Sequence, residues 1–199
     1  MPDSIAAPAG KALFLRRWLR RPLAMGAVVP SGKLLARAMA RAALDSLRGR
    51  PGDVVELGAG TGHVTRALLD AGLPVDRLVA VECDPLLAMF LRRNFTALRV
   101  IEGDAARLGD LLAASGIDRL AVVVSSLPLL SLPAEIVTEI VEGVFAALPA
   151  GAALVQFTYG PKAPIPAALG QRLHLEAGRG PRIWRNVPPA VVWTFRQAA

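Results

Sequence analysis

The sequence contains few of the groups that stabilise a fold through covalent bonds or metal ions. Its 199 residues include one cysteine, Cys83, and two histidines, and aromatic residues make up 5% of the chain. A single cysteine excludes an internal disulfide framework and fits a reducing compartment. The histidines and the cysteine are too widely spaced for a zinc or iron site, so no metal is expected. There is no run of 18 or more apolar residues, which argues against a membrane-spanning helix.

The hydrophobic content and the distribution of charge are more informative. Hydrophobic residues make up 53% of the chain, which is enough for a large core, and the formal net charge is +7. Residues 1–50 carry a net charge of +8, residues 51–150 of −6 and residues 151–199 of +5. Basic ends around an acidic centre predict a surface that meets an anionic partner, either nucleic acid or an anionic membrane.

The N-terminal residues combine positive charge with an apolar stripe. Within residues 11–23, helical spacing places Leu15, Trp18 and Leu19 on one face, and a second helix is predicted over residues 31–47. A basic helix with this stripe is typical of one that lies on an anionic membrane, where each basic residue contributes about 1 kcal/mol. The residues expected to contact the membrane are Lys11, Arg16, Arg17, Trp18, Arg20 and Arg21.

From residue 52 onward, short β-rich apolar runs alternate with longer helical stretches. Alternation of this kind predicts βαβ units and a parallel sheet with helices on both faces. A four-residue connection, residues 186–189, is too short for a crossover helix, so the chain is expected to end in an antiparallel hairpin. Strands are predicted over residues 53–57, 77–82, 98–102, 119–125, 152–158, 182–185 and 190–196, and helices over residues 61–71, 85–95, 105–115 and 134–147.

A glycine-rich turn, residues 56–62 (ELGAGTG), ends the first predicted strand and opens a helix. Its glycines allow a tight turn and a close backbone approach to a ligand at a helix N-terminus. Glu82 ends the second strand, about 20 residues further on, where a carboxylate can accept hydrogen bonds from both ribose hydroxyls. Asp104 follows the third strand and is placed to reach an adenine edge. Three successive strand ends therefore point to one nucleoside-shaped ligand.

The turn together with Glu82 and residues 103–104 resembles the class I S-adenosylmethionine-dependent methyltransferases. The resemblance implies a Rossmann-like α/β fold with a seven-stranded, mostly parallel sheet in the order 3-2-1-4-5-7-6, strand 7 antiparallel, carrying an N-terminal amphipathic helical extension. It also implies S-adenosylmethionine as the cofactor, with S-adenosylhomocysteine as its product. The residues that it assigns to the cofactor are Glu56, Gly58, Gly60, Gly62, Glu82, Asp104 and Ala105. We therefore expect residues 1–50 to form the extension, which contacts the membrane and covers the pocket, and residues 51–199 to form the cofactor-binding and catalytic domain.

Two families within this class share further motifs with the chain. Around the glycine turn and Glu82, the sequence is similar to the rRNA adenine dimethylases, but Ser126 and Leu129 stand where those enzymes have an asparagine and an aromatic residue for a flipped base. Residues 126–133 (SLPLLSLP), 156–161 (QFTYGP) and 184–190 (WRNVPPA) resemble the small bacterial phospholipid N-methyltransferases instead. That resemblance implies methylation of phosphatidylethanolamine and its mono- and dimethyl derivatives towards phosphatidylcholine. The alternatives are an rRNA adenine N6-methyltransferase, another small-molecule N-methyltransferase and a non-catalytic membrane-binding protein.

Within the phospholipid interpretation, particular residues are candidates for chemistry. We expect Tyr159 and Ser126 to face the reacting nitrogen, with the Tyr159 ring stabilising the methylated cation. Arg185 is the first candidate for the lipid phosphate, and Lys162 and Arg182 are alternatives. The expected partners are an anionic membrane surface and the phospholipid substrate, without nucleic acid or a protein partner. The protein is expected to be cytoplasmic, peripheral on the inner face of the bacterial cytoplasmic membrane.

Overall fold

A computed structural model describes residues 32–198 of the protein, and these residues form a seven-stranded sheet flanked by helices. Short 3₁₀ helices at Val75–Arg77, Ala105–Arg107 and Leu129–Ser131 supplement the longer elements. In chain order, the longer elements are α1 (Lys33–Leu47), β1 (Asp53–Leu57), α2 (His63–Asp70), β2 (Leu78–Glu82), α3 (Pro85–Asn94), β3 (Arg99–Glu102), α4 (Leu108–Ala114), β4 (Leu120–Ser125), α5 (Ala134–Ala147), β5 (Ala153–Tyr159), α6 (Ala167–Arg172), β6 (Leu175–Ile183) and β7 (Ala190–Gln197).

The strand order is β3-β2-β1-β4-β5-β7-β6, so the predicted order is confirmed. Strands β1 to β5 pair in parallel, and β7 runs antiparallel to both β5 and β6. The central strands are buried along nearly their whole length, as expected for parallel strands that helices cover on both faces. This burial explains why β2 and β4 appear in the sequence as continuous apolar runs without polar alternation.

Helix α1 belongs to the core of the sheet domain. Its apolar side, which includes Leu35, Met39 and Ala43, is buried against the sheet, and α1 packs on α2, β4, β5 and β7. The charge pattern predicts that this helix belongs to an extension ending at residue 50, but the folded unit already includes it. The six residues predicted to contact the membrane lie outside the described residues. Between residues 32 and 198, no helix is long and apolar enough to cross a membrane.

Strand β6 begins seven residues before the strand predicted over residues 182–185. Residues 175–181 (LEAGRGP) contain two glycines and a proline, a composition typical of a loop. They form a strand because β6 lies at the edge of the sheet and pairs only with β7, an arrangement that tolerates a proline without a free N–H. A register shift between Arg179 and Arg182 accommodates Gly180 and Pro181. The short helix α6 was not predicted either.

Candidate functional site

Backbone hydrogen bonds extend the strand pairing past the carboxyl ends of four neighbouring strands. The N–H of Gly58 donates to Val81 O at 2.9 Å, and the N–H of Gly103 donates to Glu82 O at 3.0 Å. On the other side of β1, the N–H of Ser126 donates to Leu57 O at 2.8 Å. The glycine turn, Glu82, the Gly103 turn and Ser126 therefore lie side by side along one edge of the sheet, called here the carboxyl edge.

The Glu82 carboxylate holds the glycine turn in place. Its Oε2 accepts a hydrogen bond from the N–H of Gly60 at 2.8 Å, and its Oε1 accepts one from the N–H of Asp84 at 2.9 Å. Glu82 is 3% exposed, so these two bonds form in a largely dry environment, where hydrogen bonds to a charged group are strong. Each carboxylate oxygen retains one lone pair, which a ligand hydroxyl can use. Glu82 therefore connects the turn to β2 and presents an acceptor at the strand end.

The three glycines of the turn have different surroundings. All three have positive φ angles, of 68° at Gly58, 56° at Gly60 and 79° at Gly62. A Cβ on Gly58 would lie 2.5 Å from a methyl group of Leu127, and a Cβ on Gly62 would lie 2.5 Å from the Phe95 ring. A Cβ on Gly60 would meet nothing closer than 3.9 Å, so Gly60 faces open space. Of the three, Gly60 is placed to contact a ligand, whereas the other two are required by packing.

Asp104 and the neighbouring Cys83 lie at the ends of β3 and β2. The Asp104 carboxylate caps the 3₁₀ turn through a bond from the Ala106 N–H at 3.0 Å, and Ala105 is buried beside it. Burial, together with the negative charges of Glu82 and Asp104, raises the pKa of the Cys83 thiol to about 12. The charges of Glu82 and Asp104 therefore both act on the Cys83 thiol, so the two carboxylates lie close together. The thiol stays protonated at neutral pH and is unsuited to be a nucleophile.

Glu56 is a fully buried carboxyl group at the end of β1, beneath the glycine turn. Thr65 of α2 donates a hydrogen bond to its Oε2 at 2.5 Å. Burial, with a smaller contribution from the Glu82 charge, raises the pKa of Glu56 to about 8, against the hydrogen bond from Thr65 and the nearby Ser126 hydroxyl, which act to lower it. Glu56 is therefore mostly protonated at neutral pH in the protein without ligand, and a nearby cation would favour its ionised form.

The raised pKa of Glu56 predicts a pH-dependent stability. Because the folded protein holds this proton up to about pH 8 while the unfolded chain releases it near 4.5, the free energy of unfolding should fall as pH rises between these values. One proton gives a slope of at most about 1.4 kcal/mol per pH unit. Urea unfolding at a series of pH values, with the wild type and Glu56→Gln, isolates this contribution. A difference between the two proteins that does not vary with pH would contradict the assignment.

Gln156, which in the sequence is only the first residue of the 156–161 motif and has no predicted role, supports the loop that carries Ser126. It is fully buried in β5 beside Ser125 of β4, and its Nε2 donates to Leu127 O at 2.8 Å and to Phe157 O at 2.9 Å. The Ser126 Oγ is itself buried and lies near Glu56. The signal in the sequence was a single amide inside an otherwise apolar strand, which is costly to bury without hydrogen bonds.

Tyr159, the other residue predicted to face the reacting nitrogen, is the last residue of β5. It is half-buried, and its ring contacts Phe157 edge-on with the ring centroids 5.2 Å apart. In the sheet, Tyr159 pairs with Ala190 of β7. Tyr159 and Ser126 therefore both lie at the carboxyl edge, after adjacent strands.

The basic residues predicted to bind phosphate lie in two places. Arg185 is exposed on the β6–β7 turn, residues 184–189, and Arg182 precedes this turn with its guanidinium stacked 4.2 Å from the Trp184 ring centroid. The N–H of Gly160 donates to Pro189 O at 3.4 Å, which joins the turn to the end of β5. Lys162 is exposed after β5 and lines a groove of about 740 Å³ between α6 and β6. The turn therefore borders the carboxyl edge, whereas this groove is lined by α6, the start of β6 and Phe195 of β7.

Comparison with solved structures identifies the fold. A Burkholderia thailandensis 1,6-didemethyltoxoflavin-N1-methyltransferase with bound S-adenosylhomocysteine matches with a TM-score of 0.69 at 19% identity, covering 100% of this chain and 94% of that one. The magnesium protoporphyrin IX methyltransferase from Synechocystis PCC 6803 matches with a TM-score of 0.68 at 11% identity, covering 100% of both chains. Together with the strand order, these matches show that the chain has the class I methyltransferase fold, as predicted.

Comparison with curated proteins finds more specific relatives, although no protein-family model matches. The chain is 35% identical over 131 residues to an ornithine lipid N-methyltransferase from Singulisphaera acidiphila, covering 62% of this chain and 65% of that protein. It is 42% identical over 98 residues to the ribosomal RNA small subunit methyltransferase A of Thermosynechococcus vestitus, covering 48% of this chain and 30% of that protein. The alignments thus span just under two thirds of the first relative and less than a third of the second. One relative is thus a lipid N-methyltransferase and the other a ribosomal RNA methyltransferase.

Proposed function

We propose that the protein is an S-adenosylmethionine-dependent methyltransferase that acts on the head-group amine of a lipid at a membrane surface. The observation that carries the proposal is the convergence of the glycine turn, Glu82 and Asp104 at adjacent strand ends. Similarity to the ornithine lipid N-methyltransferase supports a lipid amine as the acceptor. Phosphatidylethanolamine and its mono- and dimethyl derivatives are the proposed substrates, with phosphatidylcholine as the final product.

The residues at the carboxyl edge fit the proposed cofactor. Gly60 leaves open space where a larger residue would project, and the Glu82 carboxylate has lone pairs left for two hydroxyls. Asp104 and Ala105 would hold the adenine, and the buried Glu56 would gain from a positive charge near the turn. S-adenosylmethionine supplies an electrophilic methyl group when bound. The chain has to hold this group in line with an amine and to exclude competing nucleophiles.

The acceptor amine has to be deprotonated to react. A primary ammonium group has a pKa of roughly 10.4, so it carries a proton at neutral pH unless the site lowers that pKa. Partial desolvation at the carboxyl edge disfavours the charged form. Ser126 is the proposed polar contact of the amine, and the Tyr159 ring is its proposed cation–π contact. Arg185 is the proposed contact of the lipid phosphate, with Lys162 as the alternative. The six basic and aromatic residues of the N-terminal stretch are proposed to hold the protein on the inner face of the cytoplasmic membrane.

Incubation with S-adenosylmethionine labelled on its methyl group tests the proposed reaction. Vesicles containing phosphatidylethanolamine, vesicles containing ornithine lipid and ribosomal RNA are offered separately, and the products are separated by extraction. We expect the label in phosphatidylethanolamine, and much less of it with the Glu82→Gln control, whose cofactor site is weakened. Label in ornithine lipid alone would keep the reaction class and change the substrate.

A ribosomal RNA adenine is the second candidate substrate, favoured by the 42% identity over 98 residues to a ribosomal RNA methyltransferase. The described residues provide little to hold a flipped base, because Leu129 replaces the expected aromatic residue and is 2% exposed. Label in RNA and none in any lipid would reverse the order of the two candidates.

The role of Tyr159 predicts a difference between two variants. Tyr159→Phe keeps the ring and should retain most of the methyl transfer, whereas Tyr159→Ala removes the cation–π contact, worth about 0.5–2 kcal/mol. We therefore expect Tyr159→Ala to lower kcat/KM by about twofold to thirtyfold, as measured with the labelled donor. Binding of S-adenosylhomocysteine should not change in either variant. Full activity in both variants would remove Tyr159 from the site.

A further inference from the structure

The β6–β7 turn carries the two most exposed large hydrophobic side chains of the described residues. Trp184 is 68% exposed and Val187 is 78% exposed. Among residues 32–198, seven large hydrophobic side chains are exposed. Three others lie near the carboxyl ends of strands or next to this turn: Leu34 in the first turn of α1, Leu86 in the first turn of α3 and Leu130 after β4. Exposed apolar side chains that lie together, unlike ones scattered singly, mark surfaces that a partner covers.

The turn is held in shape by a buried side chain. Asn186 is 4% exposed, and its Nδ2 donates to Pro188 O at 2.7 Å while its backbone N–H donates to Ile183 O at 3.3 Å. Its Oδ1 lies against Gly32, directly before α1. Because these contacts bury Asn186, its neighbours on the turn project outward. The exposure of Trp184 and Val187 therefore follows from a defined conformation of the turn.

The β6–β7 turn places Trp184 and Val187 beside the candidate site. Ala190 is paired with Tyr159 on one side and with Ile183 on the other, so the turn extends the carboxyl edge beyond β5. Leu130 follows β4 and Leu34 lies in the first turn of α1, next to Gly32. These four side chains form what we call the apolar rim: Leu34, Leu130, Trp184 and Val187.

The charge around the rim indicates which partner covers it. Residues 177–199 contain four arginines and no acidic residue. Two of these arginines adjoin the exposed side chains of the turn. Arg185 is exposed between Trp184 and Val187, and the Arg182 guanidinium stacks on the Trp184 ring. An indole beside guanidinium groups suits the interface of an anionic membrane, where the ring enters the headgroup layer and the cations meet phosphates.

We infer that the apolar rim is a membrane-docking surface, with the β6–β7 turn entering the interface of an anionic phospholipid bilayer. Docking in this orientation would turn the carboxyl edge, and with it Tyr159 and the glycine turn, toward the lipid surface. The inference deepens the proposed function, since a lipid head group would then reach the site without leaving the bilayer. It also supplies a contact independent of the N-terminal residues.

Fluorescence of the full chain tests whether the turn enters the bilayer. In a Trp18→Phe variant, the remaining tryptophans are Trp184 and Trp193, and Trp193 is 9% exposed. Vesicles of phosphatidylglycerol and phosphatidylcholine with brominated acyl chains should shift the emission to shorter wavelength and quench it. A Trp18→Phe/Trp184→Phe protein should show neither effect. If vesicles left the emission of the Trp18→Phe variant unchanged, the inference would be overturned.

A binding experiment measures how much the rim contributes. Trp184→Ala/Val187→Ser should lower the partition of the full chain into anionic vesicles about tenfold, and Arg185→Gln about fivefold. The matched control is Phe90→Ala, an exposed aromatic side chain on α3. Equal losses in the control and the rim variant, or no loss in either, would overturn the inference. The inference would also be overturned if the wild type were a dimer and the rim variant a monomer, because the surface would then join two copies of the chain.

The binding experiment is independent of methyl transfer. It is done without methyl donor, so failure of the rim to bind vesicles is read separately from failure of the proposed reaction. Affinity for S-adenosylhomocysteine should stay unchanged in the rim variant, which shows that the fold is intact. The rim variant should methylate detergent-dispersed phosphatidylethanolamine at the wild-type rate, because this substrate does not require docking on a bilayer. Label transfer that is lost in detergent as well would place Trp184 and Val187 in the reaction site and overturn the docking role.

Discussion

Glu82→Gln is expected to lower the affinity for S-adenosylhomocysteine about hundredfold. The wild-type carboxylate accepts backbone hydrogen bonds from Gly60 and Asp84 through its two oxygens. An amide has one acceptor oxygen, so its NH₂ group would face a backbone N–H, and one buried donor would lose its partner. Each bond to a charged group contributes about 1.5–3 kcal/mol, so loosening the turn and removing a ribose acceptor together account for the expected loss. Isothermal titration calorimetry measures the affinity directly.

The control for this prediction is Glu102→Gln. Glu102 pairs with Glu82 in the register of β2 and β3, but its side chain is exposed and lies 4.0 Å from Arg92. An exposed ion pair of this kind contributes little, and we expect neither affinity nor stability to change measurably. Equal affinity in wild type and Glu82→Gln would mean that Glu82 holds the turn without contacting the ligand. Urea unfolding measures the first role separately, because replacing a residue that holds the turn lowers the free energy of unfolding whether or not the residue contacts the ligand.

Alanine at the three glycines of the turn should separate packing from ligand contact. Gly62→Ala combines the strain of a positive φ with a clash against the Phe95 ring and should lower the free energy of unfolding by about 2–4 kcal/mol. Gly58→Ala should have a similar effect through Leu127. Gly60→Ala meets open space and should cost only about 1–2 kcal/mol, but its methyl group would occupy the ligand position. We therefore expect a loss of at least about tenfold in S-adenosylhomocysteine affinity for Gly60→Ala.

Gly116→Ala is the matched control for the conformational part of these effects. Gly116 has a φ of 64°, close to that of the turn glycines, and a Cβ at this position would meet nothing within 4 Å. Its substitution should cost as much stability as Gly60→Ala and leave ligand binding unchanged. If Gly60→Ala bound S-adenosylhomocysteine like the wild type, the open space at Gly60 would not belong to the ligand site.

The sequence predicted the framework of the site because its signals are local. A glycine-rich turn between an apolar strand and a helix requires positive φ angles, whatever surrounds it. Glu82 was identifiable because a carboxylate directly after a buried strand has to lie at a strand end. The helix predicted over residues 134–147 matches α5, Ala134–Ala147, because its apolar spacing is regular. In these segments, local preference and tertiary structure favour the same conformation.

Other features depend on neighbours that are distant in the chain. The glycines of the turn look alike in sequence, and only Leu127 and Phe95, brought in from other elements, distinguish their roles. Residues 175–181 have a loop-like composition, but pairing with β7 makes them a strand. Gln156 gained a role through the carbonyl of Leu127, a residue 29 positions away. Pairing and packing energies in these places exceed local preferences.

By itself, the sequence determined the α/β class, the glycine turn with its strand-end carboxylates and, through the resemblance, the strand order. The α/β class and the turn with its carboxylates follow from chain-local patterns of polarity and turn residues, whereas the strand order came only from the resemblance. Only the tertiary structure decided which glycine faces open space, that Glu56 is buried with a raised pKa, and that Trp184 and Val187 project at the edge that holds the site. Burial and exposure are set by contacts between segments far apart in the chain, and no local pattern encodes which segments meet.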